Sequence, residues 1–489
     1  MSIQVSRCMS TQHPDNAATP FFSDHEVLQG ETEVKEAYYA FSHLRCREQM
    51  WDCEGKEVDN FVVAKLLSRH EQFFREHPLG KDNFITLRVP NPSIEKSEAK
   101  VLLETLESIP RNYDSASAFS DSPPIFEVIL PMTRSHLELE RIANYYEQVV
   151  VGKQHMQLAK EDMTIGQWIG SFKPERINVI PLIEDLPGLL KADDLVGKFI
   201  EKKEQEYQRV FLARSDPALN YGSASAVLLN KIALQRLHAL EEKTSTAILP
   251  IIGTGSAPFR GNLKPTNMRN CTAEYPSVQT FTLQSAFKYD YPEDAVISGI
   301  AQLNETKRSA PLQIDEEKAL ALVHKISARY EQHLRLLQDV INQLSVHVPK
   351  RRARRLHVGL FGYSRNLGEI RLPRAIGFCA SLYSIGLPPE LLGLAALDEK
   401  EFDSLRDIYV HFDEDMQDAV KFLNMKSLGF LPPKLAKDIS YVLEYLEPPA
   451  SDEHHDAITD SIRTAVSECK QHPLRDEIVQ AALIRRFLG

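Results

Sequence analysis

Short apolar runs separated by longer helical patterns recur along this 489-residue chain, and this alternation constrains its fold more than any other feature. Most of the runs are continuous stretches of Ile, Val, Leu and Phe, which is typical of strands buried on both faces of a parallel sheet. Strands that alternate with helices indicate an α/β architecture. We predict strands at 84–89, 125–130, 177–183, 207–213, 246–252, 278–283 and 356–361, with a weaker candidate at 48–53.

The number of strands favours a closed barrel. Eight parallel strands, each followed by a helix, close into a (β/α)8 barrel of the TIM type. The same pattern also fits an open, doubly wound sheet, and periodicity alone does not distinguish the two. After about residue 387 the strand patterns stop, and the chain has helical patterns broken by prolines. We therefore predict a barrel with additional helices, most of them C-terminal.

Two further regions stand out. An apolar stripe at helical spacing predicts a long helix at 315–344. Packing against the protein's own core is the default interpretation of this stripe, and a subunit interface is the alternative. The basic run KRRARR at 350–355 is conspicuous in an acidic chain. We expect it on a solvated face or at a subunit contact, on the N-terminal side of the barrel.

Composition excludes several classes of partner. The formal net charge is -11, whereas nucleic acids and anionic lipid surfaces are bound by excess positive charge. No apolar run is long enough to cross a membrane, and the N-terminus lacks the apolar region of a secretory signal. The six cysteines include no CxxC pair. Reduced thiols in a cytoplasmic protein are therefore expected.

Charged residues follow the predicted strands at the points where the strands end. In a barrel these ends converge on one face, where catalytic groups collect. Each residue taken alone is ordinary, either an arginine in a solvated loop or an acid that caps a helix. The candidates are Arg88, Glu184, Asp185, Arg214, Asp216, Arg260, Arg365 and Arg374.

Taken together, these residues need ligands. Two like charges about 4 Å apart repel by roughly 4 kcal/mol at an effective dielectric constant of about 20, so the cluster makes sense only with bound anions and a bound cation. Arginine suits phosphate and carboxylate groups, and two carboxylates suit Mg²⁺ shared with a phosphorylated or enolic substrate. The residues predict a Mg²⁺-dependent enzyme for a small anionic substrate, without fixing the reaction.

Eight short motifs, in order along the chain, resemble those of the phosphoenolpyruvate carboxylases in their short archaeal-type form. STQHPDN resembles the family's TAHPTE segment, VIPLIEDL resembles PLFETL, and ARSDPALNYG resembles GYSDSxKDxG. GTGSAPFRG resembles the glycine-rich HGRGGxxGRGG loop, and FKYDYPED resembles FKYGLPE. LRVPNP, GYSR and PRAIGF match segments that carry family arginines.

The resemblance implies that phosphoenolpyruvate and bicarbonate react to give oxaloacetate and phosphate, by way of carboxyphosphate and enolpyruvate. His13, which precedes every predicted strand, is implied to take the carboxyphosphate proton. Arg88 is implied to stabilise carboxyphosphate. The other implied site residues are Arg260, Arg365 and Arg374 for the phosphoryl group, and Glu184 and Asp216 for Mg²⁺ or Mn²⁺.

The chain also departs from the long form of the family. Leu219 stands where the long form has a lysine, and Thr254 stands where it has the first arginine of the glycine-rich loop. Arg214 or Asn220 would cover these roles, so both are candidates for substrate binding. The alternative function is that of another Mg²⁺-dependent barrel enzyme acting on phosphoenolpyruvate or oxo acids, a mutase or a lyase.

The resemblance implies an organisation in three parts. Residues 1–40 would form an N-terminal segment that carries the catalytic histidine and closes over the barrel mouth. Residues 41–386 would form the barrel, and residues 387–489 a helical region packed on it. A cytoplasmic homo-oligomer is implied, a homotetramer for which a dimer of dimers is one arrangement. Its partners would be the small substrates phosphoenolpyruvate and bicarbonate, with no nucleic acid and no membrane.

Overall fold

Eight parallel strands close into a barrel, in which each strand pairs with its neighbours in sequence and the first pairs with the last. The computed structural model describes residues 5–53, 59–96, 99–203, 205–244, 246–353, 372–468 and 474–489. The predicted (β/α)8 barrel is confirmed, and the alternative of an open, doubly wound sheet is excluded. The strands are β1 (Cys8–Ser10), β2 (Glu48–Asp52), β3 (Phe84–Arg88), β4 (Glu127–Leu130), β5 (Asn178–Ile183), β6 (Tyr207–Ala213), β7 (Ala247–Gly253) and β8 (Thr280–Leu283).

Strand β1 is absent from the strands predicted from the sequence. Its three residues, CMS, form no apolar run, yet all three pair with β8, and Ser10 also pairs with Gln49 of β2. The barrel therefore begins within residues 1–40, and the predicted boundary at residue 41 is wrong. The predicted strand at 356–361 lies outside the described residues, and the barrel closes without it.

Helices cover the outside of the barrel and continue beyond it. The first fourteen are α1 (Glu31–Ser42), α2 (Val62–Arg69), α3 (Glu71–Glu76), α4 (Ala99–Ala116), α5 (His136–Tyr145), α6 (Ile165–Ile169), α7 (Leu186–Leu189), α8 (Ala192–Ile200), α9 (Ser215–Tyr221), α10 (Ser223–Thr244), α11 (Met268–Glu274), α12 (Ser285–Tyr289), α13 (Glu293–Glu305) and α14 (Glu316–Ser345). The C-terminal helices are α15 (Ala375–Ser384), α16 (Glu399–Ile408), α17 (Phe412–Val420), α18 (Pro433–Leu443), α19 (Glu453–Ser467) and α20 (Leu474–Arg485).

The barrel interior is filled in layers, and the lowest layer is charged. It takes one side chain from each even-numbered strand, which is the usual layering of such barrels. The Arg209 guanidinium donates to both carboxylate oxygens of Glu48, at 2.7 and 2.9 Å, to Glu127 at 2.7 Å and to the Thr280 hydroxyl at 3.1 Å. Above this layer the interior is mostly apolar, with Met9, Met50, Ile129, Ile180, Leu182, Phe211, Ala213 and Ile251.

Helix α14 matches the long helix predicted from the apolar stripe. It begins after Asp315, whose carboxylate caps it by accepting a bond from the Lys318 N–H at 3.1 Å. Its apolar face is buried against α9, α10, α15 and α16 of the same chain, so the stripe is core packing. The Tyr330 hydroxyl donates to the Leu219 carbonyl at 3.1 Å, which ties α14 to the helix that follows β6.

The C-terminal helices pack on one another and on α14, as the contacts of α15 with α14 and α20 show. Within the ranges that the structure covers, no single helix is long and apolar enough to span a bilayer. One pair of segments, Ala375–Ser384 and Pro389–Ala396, passes the length and composition test only when taken together, and it is bent by 101°.

Candidate active site

His13 lies on the loop that follows β1, at the C-terminal end of the barrel. Its Nδ1 is 2.9 Å from the Thr11 hydroxyl, which orients the ring. Its carbonyl accepts a bond from the Ser285 N–H at 3.1 Å, and Ser285 is the first residue after the β8 end loop. The fold thus places the histidine at the barrel mouth, because β1 carries it there.

Buried groups hold the His13 loop in place. The Asp290 carboxylate accepts bonds from the N–H groups of Ala17 and Ala18 at 2.7 and 2.8 Å. The buried Lys288 ammonium donates to the Thr11 carbonyl at 2.9 Å. From the basic run, the guanidinium of Arg351 donates to the carbonyl of Ala17. These contacts hold the His13 loop at the mouth of the barrel in this structure, and closure of residues 1–40 over the mouth stays a prediction.

The basic run is also placed differently from the prediction. Arg351 and Arg352 are buried, at 3% and 2% exposure. Arg352 donates to Glu33 at 2.7 Å and to Glu36 at 2.8 and 2.9 Å. The expectation of a solvated face or subunit contact is therefore wrong for these two residues, because buried acids of α1 pair with Arg352 and the His13 loop accepts from Arg351.

Arg88 ends β3 and is fixed by a carboxylate that the sequence analysis did not select. Its guanidinium makes a bidentate contact with Asp52 at the end of β2, at 3.0 and 2.6 Å, and both side chains are buried. The Gln12 side chain in turn accepts a bond from the Asp52 N–H at 2.9 Å. Asp52 and Gln12 therefore link the β3 arginine to the His13 loop.

Arg260 is a junction for four loops. It follows β7 and is only 2% exposed. Its guanidinium donates to the Ser215 hydroxyl at 3.0 Å, to Asp15 at 3.3 Å, to the Gln284 side chain at 2.6 Å and to the carbonyl of Gly489 at 2.8 Å. These partners lie after β1, after β6, after β8 and at the end of the C-terminal helices.

Asp15 connects Arg260 to the histidine loop. It is fully buried, and it accepts a bond from the Ala286 N–H at 2.7 Å as well as the contact from Arg260. Burial raises the pKa of its carboxyl above the ordinary value, while Arg260 and the backbone N–H groups oppose that shift. A carboxylate this deep depends on its cation for ionisation.

Arg214 follows β6 but points its donors into the scaffold. Its buried guanidinium donates to the Phe259 carbonyl at 3.1 Å and to the Ser223 hydroxyl at 3.2 Å. Tyr275 and Tyr409 lie beside it around a small cavity. Arg214 therefore anchors the glycine-rich loop from the helical side. Its contact with substrate stays a prediction, as does that of Asn220, which is partly buried in α9.

The two predicted metal ligands follow adjacent strands. Strands β5 and β6 pair with Ile183 opposite Leu212; Glu184 comes directly after β5, and Asp216 lies in the first turn of α9. Glu184 is 8% exposed and Asp216 is partly buried. Asp185, by contrast, caps α7 by accepting a bond from the Gly188 N–H at 2.8 Å. It therefore has the helix-capping role that is ordinary for an acid after a strand.

These two carboxylates fit a magnesium ion. Mg²⁺ is typically held by one or two protein carboxylates, with substrate oxygens and water completing an octahedron. In the ranges that the structure describes, no group of three or more His, Cys, Asp or Glu side chains forms a larger metal cluster. The carboxylates of Glu184 and Asp216 are oxygen donors of the type that a hard cation takes.

The contacts described above do not involve the two late arginines of the prediction, Arg365 and Arg374. Arg365 lies outside the described residues. Arg374 is exposed and immediately precedes α15. Sequence reasoning missed Gln12, Asp15, Asp52, Ser215 and Gln284, although Asp15 and Gln12 stand beside His13 in STQHPDN, which was the available signal.

The closed barrel, with charged side chains after its strand ends, is the architecture of a (β/α)8 barrel enzyme. A family model described as phosphoenolpyruvate carboxylase matches residues 5–489. The chain belongs to this phosphoenolpyruvate carboxylase family, and its enzymatic class follows from that membership.

Individual relatives agree with the family model over the whole length. A protein named phosphoenolpyruvate carboxylase from Methanospirillum hungatei is 51% identical over 100% of both chains. One of the same name from Methanothermobacter thermautotrophicus is 50% identical, again over 100% of both. Among solved structures, an HpcH/HpaI aldolase from Desulfitobacterium hafniense covers 57% of this chain and 87% of its own, at 10% identity and a TM-score of 0.34.

Proposed function

We propose that the C-terminal face of the barrel carries out the family reaction, with His13 on a loop that is linked to both Arg88 and Arg260. One observation supports this most. Gln12 contacts Asp52, which holds Arg88, and Asp15 contacts Arg260. The neighbours of the histidine on the short loop therefore tie it to the arginines that end β3 and follow β7.

The first step transfers the phosphoryl group. An oxygen of bicarbonate attacks phosphorus, and the bond from phosphorus to the enol oxygen breaks, which gives carboxyphosphate and the enolate of pyruvate. Such a transfer depends on positioning and on neutralising charge. Arg260, Arg365 and Arg374 would hold the phosphoryl group, and Arg88 would stabilise the carboxyphosphate that forms. Contacts with the protein already orient the guanidinium groups of Arg88 and Arg260.

The second step needs a base. His13 would take the proton of carboxyphosphate, which then breaks into CO₂ and phosphate. The enolate carbon attacks CO₂ to give oxaloacetate. The contact between the Thr11 hydroxyl and Nδ1 orients the imidazole ring for this role. Closure of residues 1–40 over the mouth would exclude water, which would otherwise protonate the enolate to pyruvate.

Glu184 and Asp216 would hold a Mg²⁺ or Mn²⁺ ion. When bound, the ion supplies positive charge that offsets negative charge developing on substrate oxygens. The two carboxylates keep that charge on the side of the barrel formed by β5 and β6, apart from Arg88 on β3.

The assay that tests this function couples oxaloacetate to malate dehydrogenase. We expect product only with phosphoenolpyruvate, bicarbonate and Mg²⁺ together, and loss of product after chelation that Mg²⁺ or Mn²⁺ reverses. Consumption of phosphoenolpyruvate or an oxo acid without any need for bicarbonate would instead support the alternative mutase or lyase.

Asp52 gives a sharper test of the Arg88 arrangement. Asp52→Asn removes the charge that orients the guanidinium, and a misplacement of about 1 Å in a catalytic group can lower turnover by about 10²-fold. We expect kcat, measured well below the melting temperature, to fall by about that factor, while KM for phosphoenolpyruvate changes little. The melting temperature should also fall, because the buried Arg88 loses its countercharge. Asp194→Asn, at an exposed ion pair on α8, is the matched control and should behave as wild type. Unchanged kcat in Asp52→Asn would remove the positioning role.

We also propose that the protein works in the cytoplasm as a homotetramer, as the family resemblance implies. Light scattering on the purified protein measures the mass in solution and tests the oligomeric part of this proposal.

A further inference from the structure

One segment of the chain exposes a dense set of apolar side chains. We call residues 152–172, between the helical turn after α5 and the approach to β5, the arm. Met156, Leu158, Met163, Trp168 and Ile169 are each more than half exposed, and Leu158 and Trp168 reach 67% and 66%. The other large exposed apolar residues of the described structure are isolated from one another along the sequence, which is normal for a protein surface.

The arm is well ordered despite its exposure. Gln157 and Thr164 form an antiparallel bridge, and the Ile165 N–H donates to the Met156 carbonyl at 2.9 Å. The Thr164 hydroxyl and the Gln167 side chain form a reciprocal cap at the start of α6. Backbone hydrogen bonds therefore hold the apolar side chains in a fixed outward arrangement.

The base of the arm is anchored to the body of the protein. Phe172 packs against the main core. Within the arm, its N–H donates to the Gln154 side chain at 3.2 Å, which joins the two ends of the arm to each other. The Lys153 ammonium lies 5.4 Å from the centre of the Phe172 ring. The anchored ring leaves the apolar residues beyond it without cover from their own chain, which is the usual mark of an interaction surface.

Charge indicates which partner covers the arm. Its sequence contains Lys153 and Lys160 as bases and Glu161 and Asp162 as acids, so two positive and two negative charges cancel, while the whole chain carries -11. A membrane-binding segment would need an excess of basic residues. At the tip, Lys160 stands next to Glu161 and Asp162. A two-fold axis through the tip would bring the lysine of one copy opposite the acids of the other.

We propose that the arm is an isologous contact surface, which packs against the arm of a second copy of this chain. In such an interface the same patch occurs on both subunits and must be complementary to itself. Met and Trp are enriched in interfaces relative to the rest of the surface, and the arm exposes Met156, Met163 and Trp168. The surface lies on the loop between α5 and β5, so it leaves the His13 loop out of the contact.

The test uses the full chain with Trp168→Glu and Ile169→Glu together. Light scattering and sedimentation should show that the mass falls by half or more relative to wild type at the same concentration, with unchanged circular dichroism and melting temperature. Val346→Glu places the same charge on an isolated exposed residue after α14, where the side chain is 77% exposed, and should keep the wild-type mass. An unchanged mass in the double variant would overturn the proposal, as would a monomeric wild type.

A second measurement separates arm-to-arm contact from other arrangements. Leu158→Cys with a short thiol-specific crosslinker should give a covalent dimer, and Val346→Cys should not. Failure to crosslink in a protein that remains oligomeric would contradict the two-fold arrangement. Cosedimentation of wild type with anionic vesicles, lost in the double variant, would identify a membrane surface instead and overturn the proposal. None of these readouts depends on carboxylation, so failure here is distinct from failure of the proposed reaction.

Discussion

Replacing His13 by asparagine is expected to lower oxaloacetate formation by about 10²–10⁴-fold, which is the usual contribution of one acid–base group. Phosphate release should continue and should still need bicarbonate, because the phosphoryl transfer that precedes it relies on the arginines. Asparagine keeps a polar side chain next to Thr11 but cannot take the proton of carboxyphosphate. The enolate would then be protonated, and pyruvate would replace oxaloacetate as the organic product.

Three coupled readouts distinguish this result from simple damage. Malate dehydrogenase reports oxaloacetate, lactate dehydrogenase reports pyruvate, and a phosphate assay reports the first step. His25→Asn changes an exposed histidine of the same N-terminal segment and should leave all three rates at the wild-type level. Oxaloacetate formation at the wild-type rate in His13→Asn would rule out the proposed base, and loss of all three products would indicate that the loop itself had moved.

Replacing Arg209 by methionine is expected to lower the free energy of unfolding by about 3–5 kcal/mol, because it leaves buried carboxylates without their cation. Arg209, Glu48 and Glu127 are all essentially inaccessible to water. Burial already raises the pKa of Glu127, and Arg209 opposes that shift. Removing the arginine therefore raises that pKa further. A carboxyl whose pKa is higher in the folded state favours folding as the pH falls, so part of the lost stability should return between neutral pH and about pH 5.

Urea unfolding at several pH values measures this effect. Arg75→Met removes an arginine from an exposed pair with Glu71, for which about 0–1 kcal/mol is expected. Adding Glu48→Gln and Glu127→Gln to Arg209→Met should recover much of the loss, since neutral amides need no cation. Equal stability of Arg209→Met and wild type would show that the lowest layer of the barrel is not held by charge.

The barrel was predictable because most of its strands are buried on both faces and so appear as unbroken apolar runs. β1 was not, since three residues, CMS, are too few to give a pattern, and only pairing with β2 and β8 defines them as a strand. For the same reason the sequence analysis placed His13 before the first strand, whereas it lies on the loop that follows β1. The helix at 315–344 was predicted closely because thirty residues of α14 repeat one apolar face.

The candidate site was predictable only one residue at a time. Arg88 and Arg260 could be placed at strand ends, but their partners could not, because Asp52 and Asp15 lie 36 and 245 positions away in the chain. Such pairs come from closure of the barrel, which brings distant loops together. The exposure of Trp168 and its neighbours was hidden for a related reason, since apolar residues of a short helix look the same in sequence whether they are covered or not.

The Arg260 junction has a consequence for engineering by loop exchange. A glycine-rich loop transplanted from a relative would bring its own arginine, but that guanidinium would meet Asp15, Ser215 and Gln284 of the recipient, which belong to three other loops. The four loops after β1, β6, β7 and β8 would therefore have to be exchanged together, and not the β7 loop alone. In a chimera that exchanges only the β7 loop, the transplanted arginine would not match its hydrogen-bond partners, although each exchanged residue is functional in the parent protein.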